Sequence, residues 1–332
     1  MFPHVARRWG VILCGAAIIM WLPFATLSDT ARSSAPSLQM REIAPGVYVH
    51  QGVHAEATAE NLGGIANIGF VVGDQAVAVI DTGGSYREGT ALLAAIRQTT
   101  SLPIRYVINT HFHPDHVLGN AAFVPAAAMP PAAEAAPEFI AHGNLARDLT
   151  ARRETYLAAA RQNLGAAFDG TDVIVPRHLV TRPETIDLGH RALLLTPYPP
   201  AHSDADLTVL DEKSETLFTG DLLFVDRVPA VDGTITGWLK VIEVLRQVHA
   251  VRAVPGHGPV SVSWPAALQG EQRYLAAIVS ATRQALKQNK SLQQAVDEVD
   301  RQIGQAERSK WQLFDAYDGR NITAAYTELE WE

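Results

Sequence analysis

Cysteine is almost missing from this chain: among 332 residues only Cys14 carries a thiol. It lies inside an apolar run near the N-terminus. If that run is removed on export, the remaining chain has no thiol. Disulfides are then excluded, and any metal must be held by nitrogen and oxygen. Positive charge is scarce too. Lys and Arg number 27 against 35 Asp and Glu, for a formal net charge of −8, and no Lys/Arg run follows residue 8. A duplex-binding protein needs a basic stripe against the phosphates, so nucleic acid is not an expected partner. Low-complexity tracts, fixed-period repeats and Pro/Gly/Ser-rich linkers are also missing. What remains is 47% hydrophobic and 19% charged, ample for a globular core.

The N-terminus reads as a targeting segment. Arg7 and Arg8 form a positive n-region, Trp9 to Leu27 is almost wholly apolar, and Ser28 to Ser37 is small and polar. Residues 1–35 are therefore expected to be a signal peptide and 36–332 one domain, placed in the periplasm or secreted. The alternative is an uncleaved anchor, since the run approaches the ~20 residues of a membrane span; Pro23 interrupts it and favours the signal. Leu13, before Cys14, is not the small residue a lipoprotein site needs.

Short alternating runs follow, separated by turn residues. Strands are expected at Gly46–His54, Ile68–Val72, Gln75–Ile80 and Ile104–Asn109, with a helix over Arg87–Thr99. The Ala-rich stretch from Pro131 to Phe168 predicts one or two helices, either packed on a sheet or forming a lid. Further strands are expected at Asp172–Val175, Arg191–Thr196, Leu207–Leu210, Thr216–Thr219 and Val251–Val254. Helices are expected over Trp238–His249, Trp264–Gln288, Leu292–Ala306 and Ile322–Glu330.

The sharpest local signal is His111-Phe112-His113-Pro114-Asp115-His116, directly after the strand IRYVIN. Alternate side chains of an extended segment share a face, so His111 and His113 can share one metal. Pro114 ends the extended run, and the turn lets Asp115 and His116 reach a second ion. Three other candidates follow predicted strands: His202 in PPAHS, Asp221 in LFTGD and His257 in PGHG. Each is weak alone, but ligands at the carboxyl ends of strands can converge on one sheet edge. His111, His113 and His202 give three neutral nitrogens and leave a fourth position open, the stoichiometry of a catalytic zinc. Asp115, His116 and His257 would hold a second ion, with Asp221 bridging. A hydroxide between two such ions, its pKa lowered by their charge, would be the nucleophile, and Asp115 could shuttle the proton. Iron or manganese would suit the same donors nearly as well.

With these residues in view, nearly the whole of 36–332 resembles the metallo-beta-lactamase superfamily, including the turn Val79-Ile80-Asp81-Thr82-Gly83. The resemblance implies an α+β fold, a four-layer αββα sandwich. It gives Asp81 the role of supporting the metal-binding loop. Narrower similarity lies in THFHPDHVLGNAAF (110–123), AHSDADLTVLD (201–211), TLFTGDLLFVDRVPAVDGTITGWL (216–239) and NITAAYTELEWE (321–332). These blocks resemble the quinoprotein relay system zinc metallohydrolases, exported proteins associated with pyrroloquinoline quinone-dependent alcohol oxidation. That similarity implies two zinc ions, a small-molecule substrate and a periplasmic quinoprotein partner.

Several functions compete: an exported dinuclear hydrolase of esters, thioesters or lactones, a beta-lactamase, a glyoxalase II-like thioesterase, and a non-catalytic metal or cofactor carrier. One group of beta-lactamases has Cys at the position of Asp221 and Lys three residues on, where this chain has Phe224. The other active group generally lacks the bridging Asp. Glyoxalase II shares the full ligand set but acts in the cytosol, against the export signal. Phe224, Arg227 and Trp238 lie in or beside the loop after Asp221 and are candidate substrate contacts, though the two aromatics would serve equally as core. His50, His54, His142, His178, His190 and His249 have no motif support.

Overall fold

Two mixed sheets form the centre of the computed structural model, which describes residues 38–125 and 136–332. The expected signal segment and Cys14 lie outside the described residues. The described chain falls within one compact unit, Pro36–Glu332. The first sheet keeps chain order: β1 (Arg41–Ala44), β2 (Val47–His50), β3 (Ile68–Val72), β4 (Val77–Ile80), β5 (Ile104–Asn109), β6 (Glu138–His142) and β7 (His178–Val180). Its first four strands form an antiparallel meander, and β4 through β7 run parallel. The second sheet takes β8 (Glu184–Asp187), β9 (Ala192–Pro197), β10 (Leu207–Asp211), β11 (Thr216–Phe224), β12 (Arg252–His257) and β13 (Val262–Ser263), ordered 13-12-11-10-9-8. Within it β11 and β12 are parallel.

Period-2 alternation decides the layering. On β4, Ala78 and Ile80 enter the core between the sheets, while Val77 and Val79 pack outward with Leu92 and Ile96 of α1 (Tyr86–Thr99). On β11 and β12, Phe218 and Val254 face inward. Leu217 and Ala253 join the outer core with α4 (Ile235–Leu245), α5 (Leu268–Lys287), α6 (Leu292–Glu307) and α7 (Phe314–Leu329). Helices, sheet, sheet, helices: the four αββα layers follow from strands apolar on both faces. The one-turn α2 (Pro114–Val117) and the long α3 (Leu145–Leu164) share a smaller core. No helix among the described residues is long and apolar enough to cross a membrane.

Three expectations need correction. The Ala-rich stretch is not all helix: of 131–168, residues 131–135 lie outside the described residues, and β6 occupies Glu138–His142 before α3 begins. Pro137 interrupts the helical pattern, and pairing with both β5 and β7 overrides the propensity of alanine. No strand forms at Asp172–Val175. Pro176 ends that apolar run without an amide donor, and the pairing strands start later, at His178 and Glu184. Finally, β11 does not stop at Thr219 but carries Gly220, Asp221 and onward to Phe224.

Candidate metal centre

Strand direction brings the candidate ligands together. β4 and β5 point the same way in the first sheet, as do β9, β11 and β12 in the second. His111 to His116 follow β5, His202 follows β9, Asp221 lies late in β11, and His257 ends β12. All therefore reach one edge of the sandwich. His113 caps α2, and Pro114 takes its first helical position, where the missing N–H has no partner to lose. Two glycines permit the crowding. Gly220 adopts φ +51 with Thr110 Oγ1 2.5 Å from where a Cβ would stand. A Cβ on Gly256 would overlap Oδ1 of Asp221.

Two groups of donors result. His111, His113, His202 and Asp221 have donor atoms within 4.8 Å of one another, as do Asp115, His116 and His257. Nδ1 of His113 lies 3.0 Å from Nε2 of both His111 and His202. Tetrahedral zinc with Zn–N of ~2.0–2.1 Å separates its nitrogens by ~3.3 Å, so the three imidazoles stand close to that spacing. Asp221 reaches both groups. Its Oδ2 is 3.7 Å from His111 Nε2, and 3.4 Å from both His202 Nε2 and His257 Nε2. Its Oδ1 is 3.1 Å from His116 Nε2.

The outward nitrogen of each of these five histidines is engaged. His116 Nδ1 donates to Asp81 Oδ2 at 2.8 Å, His113 Nε2 to Asp232 Oδ2 at 3.0 Å, and His202 Nδ1 to Ala230 O at 2.7 Å. His257 Nδ1 donates to Ile65 O at 2.7 Å. His111 Nδ1 lies 3.2 Å from Thr110 Oγ1, which donates to Asp81 Oδ2 at 2.7 Å. Pinning the proton outward aims each remaining lone pair at the centre. Asp81 also accepts the Thr110 amide at 2.8 Å and holds φ +55, a conformation Asp tolerates better than most residues.

The electrostatics suit cations. His116 Nε2 and Asp221 Oδ1 are buried without a hydrogen-bond partner. Burial pushes His111 well below the ordinary histidine pKa and His202 down to about 3. Burial opposes charge on His116 as well, yet Asp221, Asp81 and Asp115 together push its pKa well up. Burial would raise the pKa of Asp115; His116 and His257 reverse this and hold it low. His111 and His202 are thus neutral imidazoles beside ionised carboxylates, as a divalent ion needs, and an ion at His116 would displace the proton that the carboxylates hold there. The residues present fit two such ions.

A cleft of about 410 Å³ opens beside these donors. Phe224 and Arg227 both line it. Phe224 is buried and stacks on His257 with ring centroids 5.0 Å apart, so it also belongs to the core. Trp238 is fully buried, 5.3 Å from the His202 ring, and does not line the cleft. Asp232, Arg152, Tyr156, Tyr317, Arg320 and Asn321 line it as well, and residue-type reasoning missed all six. Asp232 and Asn321 fall inside the quoted blocks 216–239 and 321–332, but nothing in their spacing marks them as part of a site. α3 is a wall, carrying Arg152 and Tyr156, with Leu145, Leu149 and Leu164 buried beneath it.

A sequence profile for the metallo-beta-lactamase superfamily matches residues 62–263. The chain belongs to that superfamily. Over 46 residues it is 44% identical to a linear primary-alkylsulfatase of Pseudomonas sp. (strain ATCC 19151), a stretch covering 14% of this chain and 9% of that protein. The stereoselective inverting sec-alkylsulfatase Pisa1 from Pseudomonas sp. superimposes with a TM-score of 0.63 at 17% identity, covering 88% of this chain and 50% of that one. A metallo-beta-lactamase from Pontibacter korlensis gives 0.56 at 18% identity, covering 72% of this chain and 99% of that one. This superfamily member thus spans about half the length of the sec-alkylsulfatase, and at such identities the likeness is one of fold.

Proposed function

We propose that the chain is an exported hydrolase holding two zinc ions, acting on an ester, thioester, lactone or similar carbonyl substrate beside a periplasmic quinoprotein system. The observation that carries the dinuclear reading is Asp221, whose two oxygens face His111, His202 and His257 on one side and His116 on the other. Ions held there would supply Lewis acidity and a water of lowered pKa. The chain's own part is positioning and proton transfer. Asp115 stands at the cleft wall, its Oδ2 3.3 Å from His257 Nε2. Ionised at neutral pH, it takes the proton released as water attacks the carbonyl and returns it to the leaving group.

The alkylsulfatase relative supports a second reading, a sulfate ester as substrate. Cleavage of beta-lactams has less support, since Asp221 and Phe224 stand where one beta-lactamase group carries Cys and Lys. Metal analysis of the purified protein, with a hydrolysis screen over aryl esters, thioesters, lactones, an aryl sulfate and a chromogenic lactam, tests the proposal. The expected result is about two zinc ions per chain with turnover of one substrate class. One ion or none, with no turnover, would overturn it in favour of a carrier.

A further inference from the structure

Three arginines converge on the cleft, and two of them, Arg227 and Arg320, form no ion pair among the described residues. Arg227, only 4% exposed, follows β11 directly. Its Nη2 donates to the Tyr317 hydroxyl at 3.1 Å, and its Nε is buried with no hydrogen-bond partner. Its Nη1 lies 2.8 Å from His257 Nδ1, whose proton goes to Ile65 O. Arg320, exposed on α7, packs its guanidinium over the same tyrosine: both arginine Cζ atoms lie 5.4 Å from the Tyr317 ring centroid. Among the described residues neither forms an ion pair. Arg152, on the wall formed by α3, lies with its Cζ 4.4 Å from the Phe112 ring centroid and 3.8 Å from its paired carboxylate, Asp148.

A buried guanidinium without a counter-charge is costly, and a second cation on the same ring adds repulsion. The carboxylates that share the cleft do not remove this cost. Asp115 and Asp221 face the candidate metal centre, Asp232 is engaged by His113, and nearby Glu56 is engaged by the Tyr317 hydroxyl rather than by either guanidinium. With divalent ions bound, the local balance is more positive still. Among the described residues no carboxylate pairs with either guanidinium, which leaves both open to an added anion. A planar, forked donor such as guanidinium suits an oxyanion.

We propose that Arg227 and Arg320, set on Tyr317, bind an oxyanion carried by the substrate, so the enzyme selects anionic esters over neutral ones. This deepens the hydrolase reading and rests on it for turnover, but not for binding. Two sources share the chemistry: a carboxylate elsewhere in a carbonyl ester, or the sulfate of a sulfate ester.

The test compares kcat/KM of zinc-loaded wild type and Arg320→Gln on 4-nitrophenyl acetate, mono-4-nitrophenyl succinate and 4-nitrophenyl sulfate. Arg320 is exposed, so its replacement leaves the core intact. Calorimetric titration of both proteins with monomethyl succinate and with methyl sulfate reads binding without chemistry. Wild type should prefer at least one anionic substrate over the acetate, and Arg320→Gln should reduce that preference about tenfold or more, mainly through KM. A preference for the succinate points to a carboxylate and one for the sulfate to a sulfate ester. An anion-to-neutral ratio unchanged by the substitution overturns the proposal. If nothing is turned over, the hydrolase reading fails by itself. Weaker anion binding by Arg320→Gln would then still support the oxyanion site, and equal binding would overturn it.

Discussion

Asp81 does not line the cleft beside the donors and yet holds two of the candidate ligands. One carboxylate oxygen accepts from His116 Nδ1 and from the Thr110 hydroxyl, which in turn meets His111 Nδ1. The other takes the Thr110 amide. Replacing it by Ala frees two imidazoles to rotate or change tautomer without removing a metal donor. The expected loss is 10- to 100-fold in metal affinity or activity, on the order found for such outer partners. Asp221→Ala removes a carboxylate that faces both groups, so under the dinuclear proposal one ion should be lost as turnover falls. Metal content measured on both variants separates them: Asp81→Ala retains two ions at high zinc, and Asp221→Ala does not. Equal zinc content and rates in wild type and Asp221→Ala would sink the bridging assignment.

At the scale of elements, α7 both lines the cleft and braces the loop that holds two of the candidate ligands. Asn321 donates to Pro229 O at 2.6 Å and accepts from the Val231 amide at 3.0 Å. Between and beside those atoms lie Ala230 O, which holds His202, and Asp232, which holds His113. Glu328, one face along, accepts the Ile235 and Thr236 amides at 2.7 and 3.1 Å and so caps α4, whose N-cap Thr234 makes no capping bond. Asn321→Ala should cost about 1–3 kcal/mol in chemical denaturation, because a buried carbonyl and an amide lose their partners. It should also weaken zinc binding in a competition assay with a chromophoric chelator. A stability loss with unchanged zinc affinity would leave Asn321 as scaffold only. Nothing local announces this role, since the contact joins residues 92 apart. The contrast with β3 and β5 is instructive. Their expected and observed bounds coincide, because an apolar run between turn residues encodes a strand by itself. β6 was hidden because its pairing partners, not its alanine-rich surroundings, decide its state. The seven donors were legible because ligand chemistry tolerates few residue types. Tyr317 and Arg320 were not, because aromatic and basic residues on a C-terminal helix have many ordinary uses.

Across the whole molecule, folding buries several carboxyl groups and holds them neutral. Burial raises Glu88 and Asp206 to about 8 and Asp318 to about 7, and pushes Glu271 well up. Glu88 accepts the Gly84 amide at 2.7 Å beside the start of α1, while its other oxygen has no partner. Between its ordinary value of 4.5 and about 8, the folded chain keeps this proton and the unfolded chain releases it. The unfolded chain then binds fewer protons, so stability falls as pH rises through that window. His111 and His202, with lowered pKa values, act oppositely, but only below their ordinary value of 6.5, where the unfolded chain becomes charged first. Between pH 6.5 and 8 the buried carboxyls set the slope, joined by His116, whose raised pKa acts in the same direction wherever no metal holds it. Glu88→Gln keeps the shape and the accepted amide while removing the titration. Its stability relative to wild type should therefore climb with pH by up to about 1.4 kcal/mol per unit and level off above 8. Denaturant melts of both zinc-loaded proteins at pH 5.5, 6.5, 7.5 and 8.5 read the difference directly. A constant difference across the series would mean that Glu88 is already ionised in the fold.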